Sequence, residues 1–152
     1  MNSLVHGRDF QATHREVFQS LIYFWQKTRE EAAHLQSDGK WLLCDRGTLD
    51  GVVYWPGGLP EFCERLSTTQ ETELSRYGAV IHLEVAGKAD YEKFLFKNPV
   101  RSETWEHAKR LSDQEKEIWG KHPHFFSVPA YADFDLKHAE VGKIVRKFIL
   151  GS

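Results

Sequence analysis

Three short apolar runs limit what this chain can become. WLLC at 41–44, GAVIHLEV at 78–85 and HFFSVP at 124–129 are nearly continuous rather than alternating, which is the pattern of strands covered on both faces. Helical patterns separate them, giving the order helix, strand, helices, strand, charged helix, strand, helix. That order predicts an α/β fold with a parallel sheet layered between helices. At 152 residues the chain has the size of one domain, 1–152, with enough residues to bury a core. No internal repeat, low-complexity tract or linker interrupts it.

The helices have legible ends. Thr13 and Glu16 stand at capping-box spacing, and Val17, Leu21, Phe24, Thr28, Ala32 and Leu35 recur every three or four residues, predicting an amphipathic helix closed near Gly39. After DRGTLD a helical turn, a PGGLP break and a proline-initiated helix over Glu61–Leu66 are expected. Arg101–Lys121, with Ser102 as its expected cap, is strongly charged with few apolar positions, so it should pack along one narrow side. Asp133 should cap a final helix whose Phe134, Val141, Ile144, Val145, Phe148 and Ile149 form one stripe.

Composition removes several classes of function. A net charge of −2 and a pI near 6.4 provide no field for a polyanion, so nucleic acid is not an expected partner. No apolar run approaches the roughly 20 residues of a membrane span, and the first ten residues lack a secretory h-region. A cytoplasmic protein is the expectation. Two cysteines, Cys44 in a predicted buried strand and Cys63 in a predicted helix, make no disulfide framework and read as reduced thiols. Five Trp and ten Phe suggest aromatic core packing, with any exposed share marking a partner surface.

Candidate site residues follow from position. Asp45 and Arg46 end the WLLC run, and the carboxyl end of a strand in an open α/β sheet faces the ligand crevice. An aspartate there suits magnesium held through water, and an arginine suits phosphate. The competing reading is a surface turn in which the two side chains pair or cap the next helix. Asp50, in TLDG, fits either a ligand contact or a helix N-cap. Arg101 opens the charged helix, as an arginine closing over phosphates would, although an arginine on such a helix is usually only solvated. Lys137 and His138 could approach a nucleotide base or simply form a wet helix face. His122 and His124, separated by a proline, read as structural rather than metal-ligating.

These residues also carry a resemblance. FQSLIYFWQKTREEAA, LLCDRGTLDGVVYW, VIHLEV and NPVRSETWEHAKRLSDQEKEIWGKHPHFFSVP, with the closing helix, together resemble the NadR-type AAA domain. That is an ATP/GTP-binding group of P-loop NTPases close to nucleotide kinases. The DRGxxDGxxYW stretch is the most specific part, with R-x-E…A…W-x-x-H beside it. The resemblance implies a three-layer parallel sheet of the P-loop NTPase/kinase type and Mg-ATP or Mg-GTP as cofactor. It further implies Asp45 as the acid that organises magnesium, Arg46 as a phosphate-side arginine and Arg101 as an arginine of a lid-like helix. Asp50 and Lys137 are the remaining candidates for nucleotide contact.

One departure is large. No GxxxxGK[ST] motif occurs anywhere in the sequence, and neither Gly57–Gly58 nor Gly39–Lys40 has the required spacing. Without that loop the backbone N–H cradle, the phosphate lysine and the magnesium-binding hydroxyl are missing. In the arrangement the resemblance implies, the loop's strand lies between WLLC and GAVIHLEV. The expectation is therefore an N-terminally incomplete fold from a truncated chain or late-start reading frame, inactive alone and prone to self-association through an open sheet edge. The alternative is a non-catalytic binding or assembly module derived from the same fold.

Overall fold

The computed structural model describes residues 14–97, 103–131 and 133–151. The chain divides after Glu73 into two compact units.

The first unit is built around helix α1, Arg15–Gln36. His14 is its N-cap, with no side-chain cap bond; Thr13, the expected cap, lies outside the described residues. The helix ends through Asp38 and Gly39, both left-handed at φ 51° and 74°, a conformation that stops helical propagation and that glycine adopts without strain. A 3-10 helix, Asp50–Tyr54, and helix α2, Gly58–Leu66, pack together and enclose Leu49, Val52, Trp55, Phe62 and Leu66. Phe62 is the hub, meeting Tyr23 and Trp55 edge to face with ring centroids 5.6 and 5.4 Å away, the geometry favoured by aromatic quadrupoles. Short helix α3, Gln70–Leu74, follows.

Two expectations fail in this unit. Trp41–Cys44 is not a strand: the segment has no ladder partner, Leu43 is 79% exposed, and Cys44 is exposed rather than buried. An apolar run becomes a strand only when a neighbour satisfies its backbone and covers its faces, and among the described residues none does. The first helix is amphipathic, but it is oriented opposite to the expectation. Its buried residues are Gln19 and Tyr23, whereas Val17, Leu21, Phe24 and Leu35 are exposed.

In the second unit β1, Val80–Leu83, pairs in parallel with β2, Phe125–Val128, in the register Val80↔Phe125 to Leu83↔Val128. The sheet thus has two strands among the described residues, not three, because the WLLC run does not join it. Helix α4, Lys88–Lys97, contacts helix α5, Trp105–Trp119, which in turn contacts β1. Thr104 caps α5, accepting from the His107 N–H at 3.3 Å; the expected cap Ser102 lies outside the described residues. As the sequence implies, α5 buries a narrow face, Leu111, Ser112 and Trp119. Helix α6, Phe134–Leu150, contacts β2, and Asp133 caps it by accepting from the Asp135 N–H at 2.8 Å. Phe134, expected on its packed stripe, is 75% exposed.

Candidate functional site

In the first unit the residues after WLLC form a tight exposed turn. Arg46 has φ 78°, a left-handed conformation that costs a non-glycine residue on the order of 1 kcal/mol and persists only where surroundings hold it. Here they do. Gln26 Nε2 donates to the Arg46 carbonyl at 3.0 Å, and the Gly47 N–H donates to Asp50 Oδ2 at 3.1 Å. Arg46 Nη1 lies 3.8 Å from the same Asp50 oxygen, with 65% of its side chain exposed. Asp50 therefore starts the 3-10 helix and tethers the turn. Asp45 is exposed beside them.

A buried network that sequence reasoning missed anchors this turn. Thr48 and Leu49, immediately downstream, are buried, and Thr48 hydrogen-bonds the fully buried carboxylate of Glu73. Tyr23 Oη from α1 and Thr68 Oγ1 donate to Glu73 Oε1 at 2.7 and 2.6 Å. Burial alone would raise the Glu73 pKa, but the hydroxyls of Thr68, Tyr23 and Thr48 and the nearby Lys27 charge outweigh it and hold the group below the usual carboxylate range. One ionised carboxylate thus ties α1, the Arg46 turn and the start of α3 together. Its only trace in the sequence is a glutamate in QETEL.

The Gly57–Gly58 turn offers no open anion cradle. The Glu61 carboxylate occupies the space a Cβ at Gly57 would take, placing negative charge over the first turn of α2.

The second unit places polar groups at the carboxyl ends of both strands. Glu84 follows β1, and its N–H donates to the Val128 carbonyl at 3.0 Å. Its carboxylate accepts from Lys116 Nζ at 2.5 Å and Ser127 Oγ at 3.1 Å, and its carbonyl accepts from Lys137 Nζ at 2.8 Å. The Lys116 hydrogen bond holds Glu84 below its ordinary pKa, with burial opposing. Burial pushes the Lys137 amine down, partly countered by Glu84. His82 Nε2 lies 3.2 Å from Ser112 Oγ, and burial followed by the Lys116 charge pulls its pKa down.

The structure thus brings Arg46 and Asp50 together with Asp45 adjacent, and places Lys137 in the other unit at the strand ends. Arg101 lies outside the described residues. His122 is structural: its Nε2 pairs with the Tyr77 carbonyl at 2.8 Å and its Nδ1 accepts the His124 N–H at 3.0 Å. No group of three His, Cys, Asp or Glu suited to a metal occurs among the described residues.

Compared with known families, residues 4–134 match the model of the AAA domain. The chain belongs to the AAA domain family. No curated protein and no solved structure gives a significant match. The mixed α/β architecture of this AAA domain, with its small parallel sheet, fits the P-loop NTPase fold coarsely. No described helix of the AAA domain is long and apolar enough to cross a membrane.

Proposed function

We propose that this AAA domain is NadR-type and nucleotide-kinase-like, and that it binds Mg-ATP or Mg-GTP in a cytoplasmic setting. The observation that carries the reading is the exposed Asp45–Arg46 turn, held in a left-handed conformation within a chain that matches the family over residues 4–134. The two side chains fit the phosphate end of a magnesium nucleotide. Asp45 offers an exposed carboxylate to a magnesium-bound water. Arg46, whose pairing with Asp50 is long and largely solvated, can exchange that contact for a bidentate one to phosphate. Asp50 holds the turn in position, and Arg101 would neutralise further phosphate charge. Lys137 of the second unit, whose amine donates to the Glu84 carbonyl at 2.8 Å, is a candidate for nucleotide contact on the strength of the resemblance alone.

Magnesium would supply charge neutralisation on the phosphates; this chain's residues would bind and orient. Because the sequence contains no GxxxxGK[ST] loop, the activity proposed for these 152 residues is binding without turnover. Titration calorimetry of the folded chain with Mg-ATP and Mg-GTP tests it: binding is expected, and Asp45→Ala should weaken it at least about tenfold, or roughly 1.4 kcal/mol. A folded chain that binds neither nucleotide, or an Asp45→Ala variant that binds equally well, overturns the assignment.

A further inference from the structure

Two side chains of α1 reach the segment that carries the Asp45–Arg46 turn. Tyr23 and Gln26 stand three residues apart on the helix, hence on one side of it. The Tyr23 hydroxyl meets Glu73, which also accepts from Thr48, two residues beyond Arg46. Gln26 holds the turn directly, its Nε2 donating to the Arg46 carbonyl at 3.0 Å. The same amide nitrogen donates to Glu30 Oε1 at 2.8 Å, one helical turn further on. Both partners are acceptors, so only the NH2 end of the carboxamide can face them, and the Glu30 bond keeps that end turned toward the Arg46 carbonyl.

This bond holds a conformation that Arg46 would not keep by itself. For a residue with a Cβ, φ 78° is disfavoured against the right-handed and extended regions, and Arg46 is exposed, so packing around its side chain does little to enforce it. Downstream, Thr48 and Leu49 are buried. A change of backbone conformation at Arg46 would therefore swing Asp45 while leaving that anchor in place, and the carboxylate and the guanidinium would lose their common placement. Asp50 holds the turn from the Gly47 N–H; Gln26 holds it from the Arg46 carbonyl and makes no use of either the Asp45 or the Arg46 side chain.

We infer that Gln26 is a positioning residue for the nucleotide phosphates, acting through the Arg46 carbonyl; the inference rests on the nucleotide reading proposed above for this turn. Gln26 acts without touching the phosphates, by keeping the binding-competent turn populated. Once it is released, the ordinary bias of a non-glycine residue against the left-handed region leaves that turn populated at roughly one fifth, and apparent affinity falls by the populated fraction, about fivefold.

Gln26→Met in the full chain is the test. Methionine matches glutamine in length and helix propensity at this half-buried position and removes the donor, so helical circular dichroism should be unchanged; Gln26→Ala should behave in the same way. Wild type should show the strong intraresidue amide-to-Hα nuclear Overhauser effect of a positive φ at Arg46. In Gln26→Met that signal should weaken, and affinity for Mg-ATP and Mg-GTP, measured by calorimetry, should drop about fivefold. Asp45→Ala should lose affinity yet keep the Arg46 signal, which separates a residue that touches the ligand from one that acts through the turn. A Gln26→Met chain that binds within about twofold of wild type, or that binds weakly with Arg46 still left-handed, overturns the positioning role and leaves the nucleotide reading standing. A wild-type chain that binds neither nucleotide overturns that reading, and the positioning role with it, whatever the Arg46 signal.

Discussion

Replacing Tyr23 by Phe deletes one oxygen and leaves the packing intact. The ring keeps its edge contacts with Phe24 and Phe62 at 5.2 and 5.6 Å, so no cavity opens. What disappears is the 2.7 Å hydrogen bond to Glu73, a carboxylate with 0% exposure. A hydrogen bond to a buried charged acceptor is worth roughly 1.5–3 kcal/mol, so about 2 kcal/mol of stability should be lost, roughly a thirtyfold change in the folded-to-unfolded ratio. Urea unfolding followed by circular dichroism measures it. Acid provides the second arm. The folded pKa of Glu73 lies below its unfolded value, so its contribution is present above the unfolded value, near 4.3, and is lost as pH falls through the lower folded one. The deficit of a Glu73→Gln variant relative to wild type should therefore be constant at neutral pH and shrink below about pH 4. A Tyr23→Phe loss under about 0.5 kcal/mol, or a Glu73→Gln deficit independent of acid, would refute the claim that an ionised carboxylate holds this unit together.

Two further outcomes are expected. His82 has its pKa lowered by burial and by Lys116, so the unfolded chain binds its proton more readily; stability should fall as pH drops below about 6.5 toward the lower folded value, and His82→Gln should flatten that slope. An NMR titration placing His82 at or above the ordinary histidine value would contradict this. Exposed Cys44 should react with a thiol-specific disulfide reagent in a fast phase, whereas the Cys63 thiol, pushed up by burial and by Glu73, should react slowly. Cys44→Ser should remove only the fast phase, and loss of the slow phase instead would reverse the assignment.

The strands of the second unit were legible because GAVIHLEV and HFFSVP are apolar on both faces and find each other. WLLC carries the same signal and forms no strand, since hydrophobicity records a need for cover and not which neighbour supplies it. The caps divide in the same way. Asp133 was readable because one residue in the right place suffices, while Thr104 takes the role expected of Ser102, a shift within the ordinary uncertainty of helix ends. Helix α4 was missed because KADYEKFLFK has little apolar periodicity to reveal it. At the site, the surface-turn alternative named Asp45 and Arg46 as the pair, whereas Arg46 approaches Asp50 instead. The Glu73 network was not readable, for Tyr23, Thr48 and the Thr68–Glu73 stretch come from three separate segments, and no local pattern joins them.

The orientation of α1 shows why stripe spacing and burial can diverge. Packing Gln19 and Tyr23 inward is tolerable because Tyr23 reaches an ionised acceptor, but that contact is worth only a few kcal/mol. What sets the orientation is which side of the helix can reach the rest of its unit: the Tyr23 hydroxyl meets Glu73 at 2.7 Å and the Gln26 amide meets the Arg46 carbonyl at 3.0 Å, both from the inward side. Apolar spacing records which residues share a face, whereas these polar partners, which lie far away in the chain, decide which face turns inward.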